Sequence, residues 1–335
     1  MSASAQRNTT IDLAKFTASL LIIGIHANIG SDINNTFGFL IVDILCRLAV
    51  PFYAVSTGYF LASVWGGERV NKTLLLRQEN KLIKLYFIWS ALYLLYSIPW
   101  WLHEGWFSPW AFVDYAIGAV KNGAHYHLWY ILGLFYALPV MFFLLVICKT
   151  RLKVLLLLSI SLYVVMLLFY SYDWILPYGG GRLHQLLSIS FPATAALFLI
   201  LPMLLLGFCI GNTPVLSKRI ANIGFILSFL MLCTEAFFLK ARGYIKVSYI
   251  VFSYPTAYFL FQALLNIRSD SKLFTKLAGI SVYIYCFHPM VVETVGKTTN
   301  NSIVLFLITV VISIFTGWGF IEIKRRIERK RLSFH

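Results

Sequence analysis

Ten apolar runs of membrane-spanning length leave this chain little choice of fold. They lie at about 11–30, 38–64, 83–101, 127–148, 153–171, 189–210, 220–240, 245–266, 277–296 and 302–324. A run of about 20 residues spans a hydrocarbon core of about 30 Å as an α-helix. Within lipid every backbone polar group needs an internal partner, and a helix supplies it within one segment. The expected fold is all-α: a polytopic integral membrane protein of about ten transmembrane helices. They form a single domain over 1–335, with a helical bundle at about 11–324 and a basic tail at 325–335. Composition agrees, with 59% hydrophobic and 12% charged residues. The second run is long, and tilting or breaking at Pro51 or Gly58 is expected. The stretch 102–126, with Trp106, Trp110 and Tyr115, reads as an interfacial segment instead of a span. No repeat, low-complexity tract or domain linker stands out. The first run is expected to be retained, because MSASAQRNTT ahead of it shows no convincing cleavage site.

A net charge of +15 suggests nucleic acid in a soluble protein. Here it follows the positive-inside rule. With the N-terminus inside, 21 Lys and Arg fall in inner segments and 6 in outer ones, with Arg47 inside a span. Both termini are therefore expected in the cytoplasm, and no nucleic-acid partner is expected. One outer loop, LKARGYIK at 239–246, runs against the rule. It is either a tolerated exception, a sign of a miscounted span, or a contact for an anionic partner. The five cysteines all fall in apolar runs without metal-ligand spacing. They read as small buried residues, and no metal is expected.

The chemistry-bearing residues are few. In IDLAKFTASLLIIGIHANIG, Lys15 precedes His26 by eleven residues. At about 100° and 1.5 Å per residue, they share a helix face within about 20° and stand roughly 16 Å apart along the axis. Ionisable groups at membrane depth commonly face a pathway or cavity. The other reading of His26 is a hydrogen bond to a neighbouring helix. Asp12, three residues before Lys15, can orient or pair with it. In VDILCRLAVPFYAVSTGYFLA, Asp43 and Arg47 are four apart and can form an ion pair. Ser56, Thr57 and Gly58 form a small-residue patch suited to close helix packing. Arg77, Lys81 and Lys84 make a basic stripe at the start of the third run. It suits phosphates or serves topology alone. NGAHYHLWYILGLFYALP opens the fourth run with His127, Trp129 and Tyr130 at its outer mouth. Trp and Tyr there also fit an interface belt. His125 and His127, at i and i+2, would not share a helix face, which disfavours a zinc pair. In KLAGISVYIYCFHPMVVE, Ser281 and His288 share a face, and Pro289 permits a local break. The outer loop SYDWILPYGGGRLHQ reads as an exposed turn.

Five of these segments in order carry a resemblance. They are Asp-x-x-Lys with a His eleven residues after the Lys, RLAVPFYAVSTGYF, the basic stripe, YHLWYILGLFYALP and GISVYIYCFH. Together they resemble the acyltransferase-3 family of membrane acyltransferases over about 10–325. Within it the chain is most similar to the small bacterial type exemplified by the enterobacterial common antigen O-acetyltransferase. The resemblance implies ten helices around a site reached by acyl-CoA, acetyl-CoA above all, from the cytoplasm. It implies transfer to a hydroxyl of a cell-envelope glycan or a lipid-linked sugar precursor, at the bacterial inner membrane. Lys15 stands where the family usually has Arg, and Lys81-Leu-Ile-Lys84 where it has Arg-x-x-Arg. Both keep the charge but lose the bidentate fork. No appended esterase-like or racemase domain is expected.

On this reading Lys15, Arg77, Lys81 and Lys84 hold the phosphates of the donor, whose arm extends along the Lys15 face of the first helix. His26 is the general base; a covalent acyl-His step is also open. Asp12, Arg47, His127, Trp129, Tyr130, Ser281 and His288 are supporting or acceptor-side residues. The rival reading is a secondary transporter or glycan exporter using His26, Asp43, Arg47 and Glu235 as a pathway. The paired interrupted helices of such proteins have no evident counterpart in this sequence.

Overall fold

The computed structural model describes residues 8–65, 71–175, 190–243 and 249–332. In chain order the helices begin with α1 (Thr9–His26), α2 (Asn35–Trp65), α3 (Lys72–His103) and α4 (Pro109–Lys121). Then come α5 (Trp129–Ile147), α6 (Leu152–Tyr170), α7 (Phe191–Gly211) and α8 (Lys218–Ala241). The last are α9 (Ser253–Leu265), α10 (Lys272–Val295) and α11 (Ser302–Leu332). Among the described residues nine helices are long and apolar enough to cross a membrane. The expected run 245–266 is represented by the 13-residue α9, and residues 244–248 lie outside the description. The 13-residue α4 buries none of its side chains. It is too short to span, in keeping with the interfacial reading of 102–126.

Local sequence explains where these helices start. Asn8, Asn71, Ser108 and Ser271 each cap an N-terminus by accepting a backbone N–H one turn in. At α4, Pro109 follows its cap directly, where a missing N–H costs nothing. The basic tail is helical, because α11 runs on to Leu332; residues 333–335 lie outside the description.

The irregularity expected in the second run at Pro51 or Gly58 lies elsewhere. α2 is α-helical from Ala49 to Trp65. Upstream, a π-helical stretch covers Phe39–Leu45 and a 3-10 turn covers Cys46–Leu48. Pro51 cannot donate to the carbonyl of Arg47 and its ring crowds that turn, so the distortion sits on the N-terminal side of the proline. α7 repeats the pattern: a π-helical stretch at Ala196–Ile200 precedes Pro202. Gly58 does not break the helix but allows contact. A Cβ there would lie 2.0 Å from the Leu204 carbonyl oxygen, and one on Gly207 would lie 2.0 Å from that of Val55. The small-residue patch of α2 thus packs backbone to backbone on α7, as its composition suggests.

By their internal contacts the residues fall into two units. The first comprises Met1–Tyr53, Val215–Ser248 and Pro255–His335. Its core centres on Ile23, Ile280 and Ile284, against Phe16 and Leu20 of α1 and Phe306 and Val310 of α11. The N-terminus of α1 is tied to the chain ahead of α10. Thr9 N–H donates to the Ser269 carbonyl at 3.1 Å, and the Thr10 hydroxyl donates to the Ile267 carbonyl at 2.7 Å. The second unit comprises Ala54–Pro214 and Tyr249–Tyr254. In it α7 is the central helix, with Leu201–Ile210 all buried. Ser159 of α6 donates to the Pro202 carbonyl at 2.6 Å, filling an acceptor near the distorted turn.

Candidate functional site

The first unit assembles a polar cluster where α1 meets α10. α1 is unbroken from Thr9 to His26, so Lys15 and His26 keep the common face expected of them. His26 is the last residue of that helix; left-handed backbone at Asn28 (φ 51°) and Gly30 (φ 80°) turns the chain away. The His26 ring lies 5.1 Å from the ring of His288, tilted by 35°. His288 is fully buried, and its Nδ1 lies 3.1 Å from the Ile284 carbonyl oxygen. A carbonyl only accepts, so Nδ1 carries a proton that it donates there. Two imidazoles from different helices therefore stand side by side in this unit.

Below them, the Tyr53 hydroxyl donates to the Lys15 carbonyl oxygen at 2.6 Å, and the Ser19 hydroxyl of the same helix as Lys15 donates to the Phe16 carbonyl at 2.7 Å. Ser281 donates to the Leu277 carbonyl at 3.2 Å. Sequence reasoning singled out Ser281 but missed Tyr53, although it stands inside the RLAVPFYAVSTGYF segment. Nothing local separates it from the other aromatics of that run; only folding brings it beside α1. Asp12 is buried and accepts the Thr275 hydroxyl at 3.3 Å, so it joins α1 to α10 near the Lys15 end. Arg47 donates through Nε to Asp43 Oδ1 at 3.0 Å, with a second guanidinium nitrogen also at 3.0 Å. This is the i, i+4 ion pair the spacing suggests. Glu235, invoked by the transport reading, is buried on α8.

The loop after His26 is pinned from α11. Gly30 N–H donates to the Ser302 hydroxyl at 2.8 Å, Ser302 N–H donates to Asp32 Oδ2 at 3.1 Å, and the Ser302 hydroxyl donates to Asp32 Oδ1. The outer charges of 239–243 are also engaged. Lys240 Nζ stands 4.2 Å from the centre of the Phe39 ring and 3.4 Å from the Asn35 carbonyl oxygen, and Arg242 lies over the Phe238 ring. Cation–π contact with local aromatics accounts for two of the three basic residues that run against the charge rule. Lys246 lies outside the described residues.

In the second unit, Arg77, Lys81 and Lys84 are all exposed on α3, as a stripe of one face requires. His125 and His127 depart from expectation. They precede α5 in a turn, so helix-face geometry does not govern them, and their Nδ1 atoms lie 3.2 Å apart. Gly123, at φ +96°, lets the turn fold back close to the Trp129 backbone nitrogen. His125 stacks on Tyr93 at 4.1 Å and His127 meets the same ring at 5.1 Å, nearly fully buried. Trp129 is half-buried against Phe191 at 5.0 Å, and Tyr130 is buried beside it. Of the outer loop 172–188, Tyr178, the glycines and Arg182 lie outside the described residues. Among the described residues no group of three or more His, Cys, Asp or Glu side chains gathers as a metal site.

The acyltransferase-3 family profile (Acyl_transf_3, "Acyltransferase domain") matches residues 8–322, and the chain belongs to that family. Its nine long apolar helices among the described residues fit a membrane member of that family. The chain is also similar to two proteins of Enterococcus faecalis, each named "Amino-acid racemase". One is 25% identical over 98% of this chain and 48% of the relative; the other is 31% identical over 36% of this chain and 16% of the relative. The chain thus spans about half the length or less of the curated relatives it matches, and the activity in their names is said of them alone. No solved structure matches it.

Proposed function

We propose that this protein is a membrane O-acyltransferase, of the O-acetyltransferase type its sequence resembles, at a bacterial inner membrane. It moves an acyl group, acetyl above all, from cytoplasmic acyl-CoA to a hydroxyl of an envelope glycan or its lipid-linked precursor. The observation that carries the reading is the His26–His288 pair at the end of α1, on a helix whose opposite end carries Lys15 on the same face.

His26 acts as general base. The acceptor hydroxyl gives its proton to a neutral His26 as its oxygen attacks the thioester carbonyl carbon. The C–S bond breaks, and the imidazolium returns the proton to the departing CoA thiolate, so no proton is gained or lost overall. His288, held by Ile284, fixes the His26 ring from the side, and Tyr53 holds the α1 backbone at Lys15. Lys15, Arg77, Lys81 and Lys84 bind the donor phosphates through charge, as ammonium groups and one guanidinium do. Trp129, half-buried, offers aromatic surface to the acceptor sugar, with Tyr130 buried beside it. His127, buried against Tyr93, sits in the turn that leads into them.

The test is labelling of envelope glycan by the purified protein in vesicles supplied with radiolabelled acetyl-CoA. Donor-dependent incorporation into a hydroxyl ester supports the proposal. Movement of glycan across the vesicle membrane without esterification supports the transport reading instead.

A further inference from the structure

A cavity of about 450 Å³ lies in the first unit on the back of α1. Its α1 wall includes Leu13, Ala14, Thr17 and Leu21. At about 100° per residue these lie roughly 100–160° around the helix from Lys15, so the cavity is separate from the His26 face. Leu48 and Phe52 of α2, Phe225 of α8 and Leu264 of α9 close the other sides. The two hydroxyls in the wall are turned to backbone: Thr10 donates to the Ile267 carbonyl and Thr17 to that of Leu13. What remains is an apolar groove, partly open at the side.

Its length and its end are both informative. From Thr10 to Leu21 the α1 wall rises roughly 16 Å, about half of a hydrocarbon core of about 30 Å. That is the depth of one leaflet. The Thr10 end carries cations. Arg268 follows Leu264 by four residues and is exposed, next to the Ile267 carbonyl that Thr10 holds. Lys218 precedes Phe225 by seven residues, two turns along the same side of α8, and Arg219 follows it; both are exposed. Asp270 is the nearby exposed acid, leaving the cluster basic. Arg and Lys at a bilayer surface favour anionic headgroups, and Arg pairs with phosphate by a bidentate fork.

We propose that this groove is a binding site for an anionic phospholipid. One acyl chain fills the groove between α1, α2, α8 and α9, and the headgroup phosphate lies among Lys218, Arg219 and Arg268. The leaflet-deep length selects an ordinary acyl chain over a long polyprenyl chain. The bound lipid then packs against the back of the helix whose other face bears His26.

The experiment is native mass spectrometry of the full-length protein recovered from vesicles of equimolar phosphatidylglycerol and phosphatidylcholine. Wild type should retain phosphatidylglycerol over phosphatidylcholine by about 5-fold or more, the scale of even one cation near an anionic surface. Ala14→Phe fills the groove and should retain one lipid fewer. The exposed triple variant Lys218→Gln, Arg219→Gln, Arg268→Gln should keep a lipid but lose the preference, and it tests the proposal even where Ala14→Phe fails to fold. The proposal is overturned by an absent preference in wild type, by an unchanged preference in the triple variant, or by full lipid retention in a folded Ala14→Phe protein. Retention of polyprenyl phosphate in place of phospholipid, from cell membranes, also overturns it.

Discussion

The rings of His26 and His288 stand 5.1 Å apart, joining the end of α1 to the middle of α10. The buried Nδ1–H of His288 is committed to the Ile284 carbonyl, so this imidazole is fixed in tautomer and orientation, as a positioning group should be. Replacing it frees the His26 ring. His288→Ala is expected to lower kcat by up to about 100-fold, the scale of a misplacement of about 1 Å, with little change in the KM for acyl-CoA. A rise in KM with kcat preserved would assign His288 to donor binding instead.

The donor cations should show themselves through salt. Neutral replacement of Lys15, Arg77, Lys81 or Lys84 should weaken CoA binding at low ionic strength, and the loss should shrink as salt rises, because the Debye length falls from about 30 Å at 0.01 M to about 8 Å at 0.15 M. Lys15→Arg should be tolerated. Titration calorimetry with CoA checks this; unchanged affinity in all four neutral variants would return these residues to a purely topological role.

The sequence reveals the periodic features of this protein and hides the folded ones. Apolar runs announce the helices because lipid demands about 20 paired residues in one segment, and i, i+4 spacing announces the Asp43–Arg47 pair, because one helix sets both. Lys15 and His26 share a face for the same reason. Tyr53 is not legible, since the Lys15 carbonyl it donates to belongs to another helix. The His125–His127 approach is not legible in the spacing, because both residues sit in a turn where helix-face geometry does not apply. The 3-10 turn of α2 falls upstream of Pro51, because a proline disturbs the carbonyl four residues before it, here that of Arg47.

The contact between α2 and α7 should tolerate no added methyl. A Cβ at Gly58 or Gly207 would meet a backbone carbonyl oxygen at 2.0 Å, and backbone cannot rotate aside. Gly58→Ala and Gly207→Ala are each expected to destabilise by about 1–3 kcal/mol or more, the cost of overpacking. Thermal unfolding in detergent measures it. A melting point equal to wild type in either variant would show that the two helices can part without loss.

The Asp32–Ser302 link should be sensitive to acid. The Ser302 hydroxyl, and after it the Ser302 backbone N–H, hold the Asp32 carboxyl below its ordinary value of 3.8. A carboxylate with a lowered folded pKa contributes stability that is present above its unfolded pKa and is lost as pH falls through the folded one. The anchoring of Gly30 and Ser302 should therefore be constant from neutral pH to about pH 4 and loosen below it. Hydrogen exchange at the start of α11 reads this directly. Asp32→Asn should exchange faster at neutral pH and show no further acid step; an acid step of the same size in that variant would place its origin elsewhere.

In the proposed reaction His26 takes the acceptor's proton. His26→Ala and His26→Gln, purified beside wild type, should bind CoA with wild-type affinity and unfold at a similar temperature. Acyl transfer should fall by about 100-fold to 10,000-fold, the range for loss of a general base. Radiolabelled acyl transfer at wild-type rate by either folded variant would contradict the account.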